Sequence, residues 1–355
     1  MHCLVQGARL CRETAVSGVA HMMRHLVTVL VALAVTPVLV QAQAAGPLVS
    51  QSPCSAYVAP TYEQYVESAQ QFYAREMESA KSEGVAMRSA LAITPRELFD
   101  REGSVSHSIE CMNIVYLSDG LKVKALMWRP KDQGAKPLPL IVYNRGGNRE
   151  FGRVTTWNSV HRLAAEGFVV LASQYRGVDG GEGQEEFGGA DVHDILNLVP
   201  VARSLGFVDM NNVFMLGWSR GGMMTFLAAT QGMRANALAV YGPLLDLVEE
   251  GKRRPAMVEN VWSELIPEFA TRGDALLRER SPMYWSEKID TPTLLMHGAA
   301  DWRASAAETL VFAQKLQQAG KPYELVIYAD DDHSLSLNKD DSYRRIVSWF
   351  RKHMR

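Results

Sequence analysis

Metal-binding patterns are absent from this sequence. Its four cysteines among 355 residues include no CxxC pair. With no HExxH and no compact His/Asp cluster either, a metal centre is not expected. No cofactor is expected from any other motif. Glycines are dense over residues 180–189, but no Walker-type lysine follows them, so they do not read as a phosphate cradle. No block of like charge stands out. The 37 Lys and Arg against 39 Asp and Glu give a formal net charge of −2. That leaves no positive field to attract nucleic acid and no charged tail. Heptads, low-complexity tracts and internal repeats are missing as well, which excludes coiled coils and solenoids.

One apolar run is conspicuous. Residues 26–40 give about 15 residues, interrupted by Pro37, against the roughly 20 that a membrane span needs. Arg24 and His25 precede the run, and Ala42-Gln43-Ala44 follows it. That is the charged, apolar and small-x-small order of a secretory signal peptide. Residues 1–44 are therefore expected to be a signal peptide, and a start at Met22 or Met23 would explain the odd extension of residues 1–21 before it. A transmembrane anchor is the alternative. The chain is expected to be periplasmic or secreted, without a stable membrane span and, lacking a lipobox-like cysteine, without a lipid anchor. Cleavage would remove Cys3 and Cys11. The remaining Cys54 and Cys111 are disulfide candidates in an oxidising compartment, the alternative being two free thiols.

What remains is ordinary globular composition, 47% hydrophobic and 21% charged, with length enough for one large α/β domain. Residues 45–104 are expected to form a helical extension, because Tyr62, Tyr65, Val66, Ala69, Phe72 and Tyr73 recur at three- and four-residue spacing. A catalytic domain is expected over residues 105–355. It opens with strand-like runs at 109–115 and 121–128 around Ser118-Asp119-Gly120, a hairpin signal. Strands at 138–143, 168–172, 213–217, 237–241, 293–297 and 323–328 then alternate with helices at 159–166, 191–205, 221–230, 306–319 and 342–353. Pro200 is expected to kink the second of these helices. Such alternation implies a mainly parallel sheet covered on both faces. Residues 242–289 interrupt the rhythm and are expected to form a helical cap, or else a solvent-facing decoration.

The chemistry centres on Gly217-Trp218-Ser219-Arg220-Gly221, a G-x-S-x-G between a strand and a helix. In that setting Ser219 is the candidate nucleophile. It needs a base, and His297, His333 and His353 are the histidines downstream. His333 lies in the loop after the last expected strand, from which its ring can reach across to the serine. Asp301 ends His297-Gly298-Ala299-Ala300-Asp301, a strand and turn, and is the candidate acid that holds the imidazole. The run Asp330-Asp331-Asp332 is expected to raise the affinity of His333 for its proton. The oxyanion hole is expected from the backbone N–H of Arg220 and from the loop Asn144-Arg145-Gly146-Gly147-Asn148, through Gly146 or Gly147. Asp191 is expected near a helix N-cap, and Arg176 and Asp194 read as structural.

Taken together, these residues resemble the catalytic α/β-hydrolase domain of the prolyl oligopeptidase family from about residue 105 to the end. The resemblance rests on Ser118-Asp119-Gly120 ahead of Trp128-Arg129-Pro130 and on Gln174-Tyr175-Arg176-Gly177 ahead of Phe187-Gly188-Gly189-Ala190-Asp191. It rests also on Gly217–Gly222, on Ser281-Pro282 ahead of Thr291-Pro292, and on the intervals from Ser219 to Asp301 to His333. It implies a serine peptidase acting on small peptides or amides. The β-propeller of the family's larger members is not expected here, because fewer than about 70 residues lie between the expected signal peptide and the domain. Size filtering of that kind is therefore not expected to carry over. The family's peptidases commonly place a tyrosine in the oxyanion loop. Arg145 stands at that position here and Tyr143 two residues earlier, which turns the expectation toward backbone donors. A carboxylesterase is the alternative function, and a binding protein on an inactive hydrolase fold a third. Trp157, Trp218, Trp262, Trp285 and Trp302 are candidates to line an apolar pocket. Nothing in the sequence speaks to oligomeric state.

Overall fold

The computed structural model describes residues 46–55, 60–132, 134, 136–156 and 159–355. The expected signal peptide, with Met22, Met23, Cys3 and Cys11, lies outside the described residues, as does Trp157.

Nine strands form one sheet in the order β1-β2-β3-β5-β4-β6-β7-β8-β9. They are β1 (Leu48–Pro53), β2 (Ile109–Ser118), β3 (Leu121–Pro130), β4 (Leu138–Asn144), β5 (Val169–Ser173), β6 (Val208–Trp218), β7 (Ala237–Tyr241), β8 (Thr293–Gly298) and β9 (Tyr323–Tyr328). The first three are antiparallel to their neighbours, and β4 to β9 run parallel. Asp119 and Gly120 turn the β2–β3 hairpin with φ of 51° and 81°, the positive values a two-residue hairpin needs. Along β4, Leu140 and Val142 belong to the core on one face, Ile141 and Tyr143 to the core on the other. A near-continuous apolar run is therefore what a doubly covered strand requires.

Three differences from expectation have physical causes. The segment 45–104 is not wholly helical, because β1 pairs with β2 at the sheet edge. It holds two helices, α1 (Tyr62–Ser82) and α2 (Arg96–Val105). The helix expected at 191–205 is split at Asn197 into Val192–Leu196 and Leu198–Ser204, upstream of Pro200. Asp191 occupies the cap position, but its carboxylate does not cap. It accepts instead from the N–H groups of Gly188 and Glu186 and pairs with Arg220.

Cys54 and Cys111 are joined by a disulfide, tying the end of β1 to β2. Arg176 and Asp194 form a buried pair at 2.8 Å, which Ser118 and Asp119 join. Among the described residues no helix is long and apolar enough to cross a membrane.

Candidate active site

The parallel strands deliver their C-terminal ends to one region, where β4 and β6 lie side by side although the chain visits β5 between them. In open α/β sheets, ligands bind at such a switch point. Ser219 follows β6 and precedes the helix Arg220–Thr230, with φ 57° and ψ −125°. This is the strained turn that lifts a serine above the sheet. Its N–H donates to the Tyr241 carbonyl at 3.1 Å, and its carbonyl accepts from Gly222 and Leu244. Glycine is required on the far side of the turn, since a side chain at position 221 would collide with the Asn144 carbonyl at the end of β4.

Asp301 follows β8, with its side chain fully buried. Its Oδ1 accepts from the backbone N–H groups of Arg303 and Ala304 at 2.8 and 3.0 Å. Its Oδ2 meets His333 Nδ1 at 2.7 Å and His297 Nε2 at 2.9 Å. Burial opposes ionisation, but the charge and hydrogen bond of His333, with those of His297, hold the carboxyl well below the usual range. His297 was legible only as a residue at a strand end. It is buried, with Nδ1 against Thr309 Oγ1 at 2.6 Å and Nε2 on the carboxylate. The short interval to Asp301 within one strand–turn unit was the available signal for this contact.

His333 is 8% exposed and sits on the loop after β9. Trp218 Nε1 donates to its carbonyl at 3.0 Å. Asp331 and Asp332 beside it are occupied elsewhere. Asp331 accepts from the N–H groups of Asp332, Leu337 and Asn338, and Asp332 from those of Ser334 and Ser336. These carboxylates shape the loop, and the one that meets the ring is Asp301.

The loop after β4 packs against the serine. A Cβ on Gly146 would stand 3.0 Å from that of Ser219, and Gly147 has φ 70°. Arg145 is turned inward and is 0% exposed, donating to the carbonyls of Gln174, Gly146, Arg149 and Phe151. Its guanidinium therefore does not stand in for a tyrosine hydroxyl at the site. Arg220 has its side chain buried too. It donates to the Gly147 carbonyl at 3.0 Å and to Glu185 at 2.7 Å, and pairs with Asp191. Burial would raise the Glu185 pKa, but Arg220, the Arg149 N–H and Arg145 hold it low. The Arg220 N–H opens its helix, among the first amides that find no acceptor within the helix.

Ser219, Arg220, Gly147 and His333 line one cavity of about 530 Å³. Trp218 and Trp302 line it as well, with Tyr143 and Tyr241. Burial and the neighbouring Tyr143 keep the Tyr241 phenol protonated well above its usual range. Trp262 and Trp285 are buried outside the cavity lining. From the expected cap at 242–289, Leu244, Arg254 and Met257 reach the cavity. A larger share comes from the N-terminal extension, through Tyr65, Phe72, Tyr73, Met87 and Leu91 among others. Among the described residues no His, Cys, Asp and Glu cluster could hold a metal.

A serine on a strained strand–helix turn, above a mainly parallel sheet and sharing a cavity with a carboxylate-bound histidine, defines an α/β-hydrolase. The chain belongs to the prolyl oligopeptidase family of serine peptidases, whose family model, Peptidase_S9, matches residues 154–355. It is 31% identical over 245 residues to the uncharacterized peptidase YtmA of Bacillus subtilis strain 168, covering 69% of this chain and 93% of that one. It is 28% identical to acylamino-acid-releasing enzyme 1 of rice, Oryza sativa subsp. japonica, covering 67% of this chain but 33% of the rice protein. The acylaminoacyl peptidase of Pyrococcus horikoshii superposes with a TM-score of 0.61 at 20% identity, over 71% of this chain and 43% of that one, and shares its fold.

Proposed function

We propose that the protein is an exported serine peptidase that cleaves small peptides or amides through an acyl-enzyme on Ser219. The 2.7 Å contact between His333 Nδ1 and Asp301 Oδ2 carries the reading. It leaves Nε2 of a ring lining the Ser219 cavity as the proton acceptor. In the first step the Ser219 hydroxyl attacks the substrate carbonyl while His333 takes its proton. The N–H of Arg220 and an N–H of Gly146 or Gly147 receive the oxyanion. His333 then returns the proton to the leaving amine, and water hydrolyses the acyl-enzyme with the same histidine as base. Asp301, kept ionised, fixes the tautomer and stabilises the imidazolium. The Cys54–Cys111 disulfide supports export, since such bonds persist in oxidising compartments.

The inward turn of Arg145 favours a second reading. With no side-chain donor from that position, the hole relies on backbone groups, and a carboxylesterase makes the smaller demand on leaving-group protonation. The mature protein should be assayed on a peptide nitroanilide and an ester of the same acyl group, with Ser219→Ala as control. Comparable kcat/KM on both is the expected result. Ester turnover without amide turnover would replace the peptidase by the esterase. Failure of a fluorophosphonate to label Ser219 would sink both.

A further inference from the structure

The cavity that holds Ser219 has a wall that does not belong to the sheet. Tyr65, Ala69, Phe72, Tyr73 and Glu76 line it from α1, at three-, four- and seven-residue intervals that put them on one helix face. This is the apolar stripe that an amphipathic helix ordinarily buries in a core. Here it stays partly open. Phe72 is 45% exposed, and two other cavity residues, Leu91 and Phe151, are 37% and 59% exposed. Large apolar side chains gathered at the mouth of a cavity are the kind of surface an apolar ligand covers.

Among the described residues, Glu76 is the carboxylate that α1 brings to this wall, and it is already engaged. It accepts from Trp302 Nε1 at 3.1 Å and from Arg303 Nε and Nη2 at 2.7 and 2.6 Å. It acts as a fastener, leaving the wall to its apolar groups. The fastening reaches the reaction centre, because the Arg303 N–H donates to Asp301 Oδ1. Arg88 donates to the Ala299 carbonyl at 3.0 Å, and Arg254 joins Glu83 to the Arg303 carbonyl. The extension is therefore held in register with the loop that carries Asp301.

We infer that Phe72 and Leu91 are specificity-determining residues that receive a bulky apolar or aromatic side chain on the acyl part of a short substrate. The inference rests on Ser219 being the nucleophile, as proposed above. The test compares kcat/KM on the p-nitrophenyl esters of N-acetylphenylalanine and N-acetylalanine. These serve whether the enzyme is a peptidase or an esterase. The wild type should favour the phenylalanine ester, and Phe72→Ala and Leu91→Ala should each lower the ratio of the two values about tenfold. Met77→Ala, on α1 but outside the cavity lining, should keep the wild-type ratio. Fluorophosphonate labelling of Ser219 is followed in parallel. Intact labelling with an unchanged ratio in the Phe72 and Leu91 variants, or with no preference in the wild type, overturns the inference alone. Absent labelling in the wild type overturns the nucleophile assignment and the inference with it.

Discussion

The sheet side of the cavity and the α1 side are held by different interactions. Around Ser219 the backbone is fixed by strand ends, by a turn with φ 57°, and by buried charge from Arg220, Glu185 and Asp191. Among the described residues the α1 side has no comparable backbone anchorage at the cavity. It hangs on side chains, Glu76 to Arg303, Glu83 to Arg254 and Arg88 to the Ala299 carbonyl, while the disulfide secures the preceding strand. The first arrangement tolerates almost no displacement, which suits atoms that must react. The second can be altered one residue at a time, which suits a surface that selects.

The contrast makes graded predictions. Ser219→Ala on the sheet side should lower kcat by on the order of 10⁴-fold or more, while circular dichroism and melting temperature stay near those of the wild type. A smaller loss would show that the strained turn is not the reaction centre. His297→Ala should lower kcat by about 10- to 100-fold with KM little changed, because the residue positions Asp301 without touching substrate. The pH–rate profile separates positioning from mere folding damage. With one donor gone, Asp301 presents more negative charge to His333, so the acid limb should move to higher pH, and His297→Gln should restore part of the shift. On the α1 side, Glu76→Gln should raise KM about fivefold with kcat nearly constant, by weakening one charge-assisted fastener. An equal fall in kcat would mean that the two sides are not separable.

The last two predictions concern stability. Cys54→Ser with Cys111→Ser removes a link across 57 residues. It should cost about 3–4 kcal/mol, or roughly 5 °C in melting temperature. The smallest effect is at Glu308. Burial and the carboxylates of Glu250 and Asp246 push its pKa up to about 8, against the pull of Arg253. A folded value raised above the unfolded one gives stability that is full below about pH 4 and is lost as pH rises through 8. Glu308→Gln should therefore raise the melting temperature by about 2 °C at pH 9 and leave it unchanged at pH 4.

Legibility in the sequence follows the same division. Strands β2 to β9 were readable because buried strands carry apolar runs and their turns carry Asp-Gly and Gly signals. The residues around Ser219 were readable because the chemistry and the tight turn both restrict them locally. Strand β1, LVSQSP, was not readable, being mostly exposed and paired to β2 through its main chain. Asp191 sits where a cap belongs, yet a partner 29 residues away claims it. The wall from α1 was beyond reach for the same reason. Glu76 and Arg303 are 227 residues apart, and nothing near either one announces the other. The stripe on α1 was visible as periodicity, but periodicity does not say whether a helix face meets a core or a cavity.

In a G-x-S-x-G pattern, x conventionally stands for any residue. Here both wildcard positions are committed, Trp218 through its indole to the His333 loop and Arg220 through its guanidinium to Gly147, Glu185 and Asp191. A library that held Gly217, Ser219 and Gly221 constant while randomising positions 218 and 220 would satisfy every motif search. Few of its clones would be expected to hydrolyse anything. The specification that such a search discards is the part that binds three separate loops to one serine.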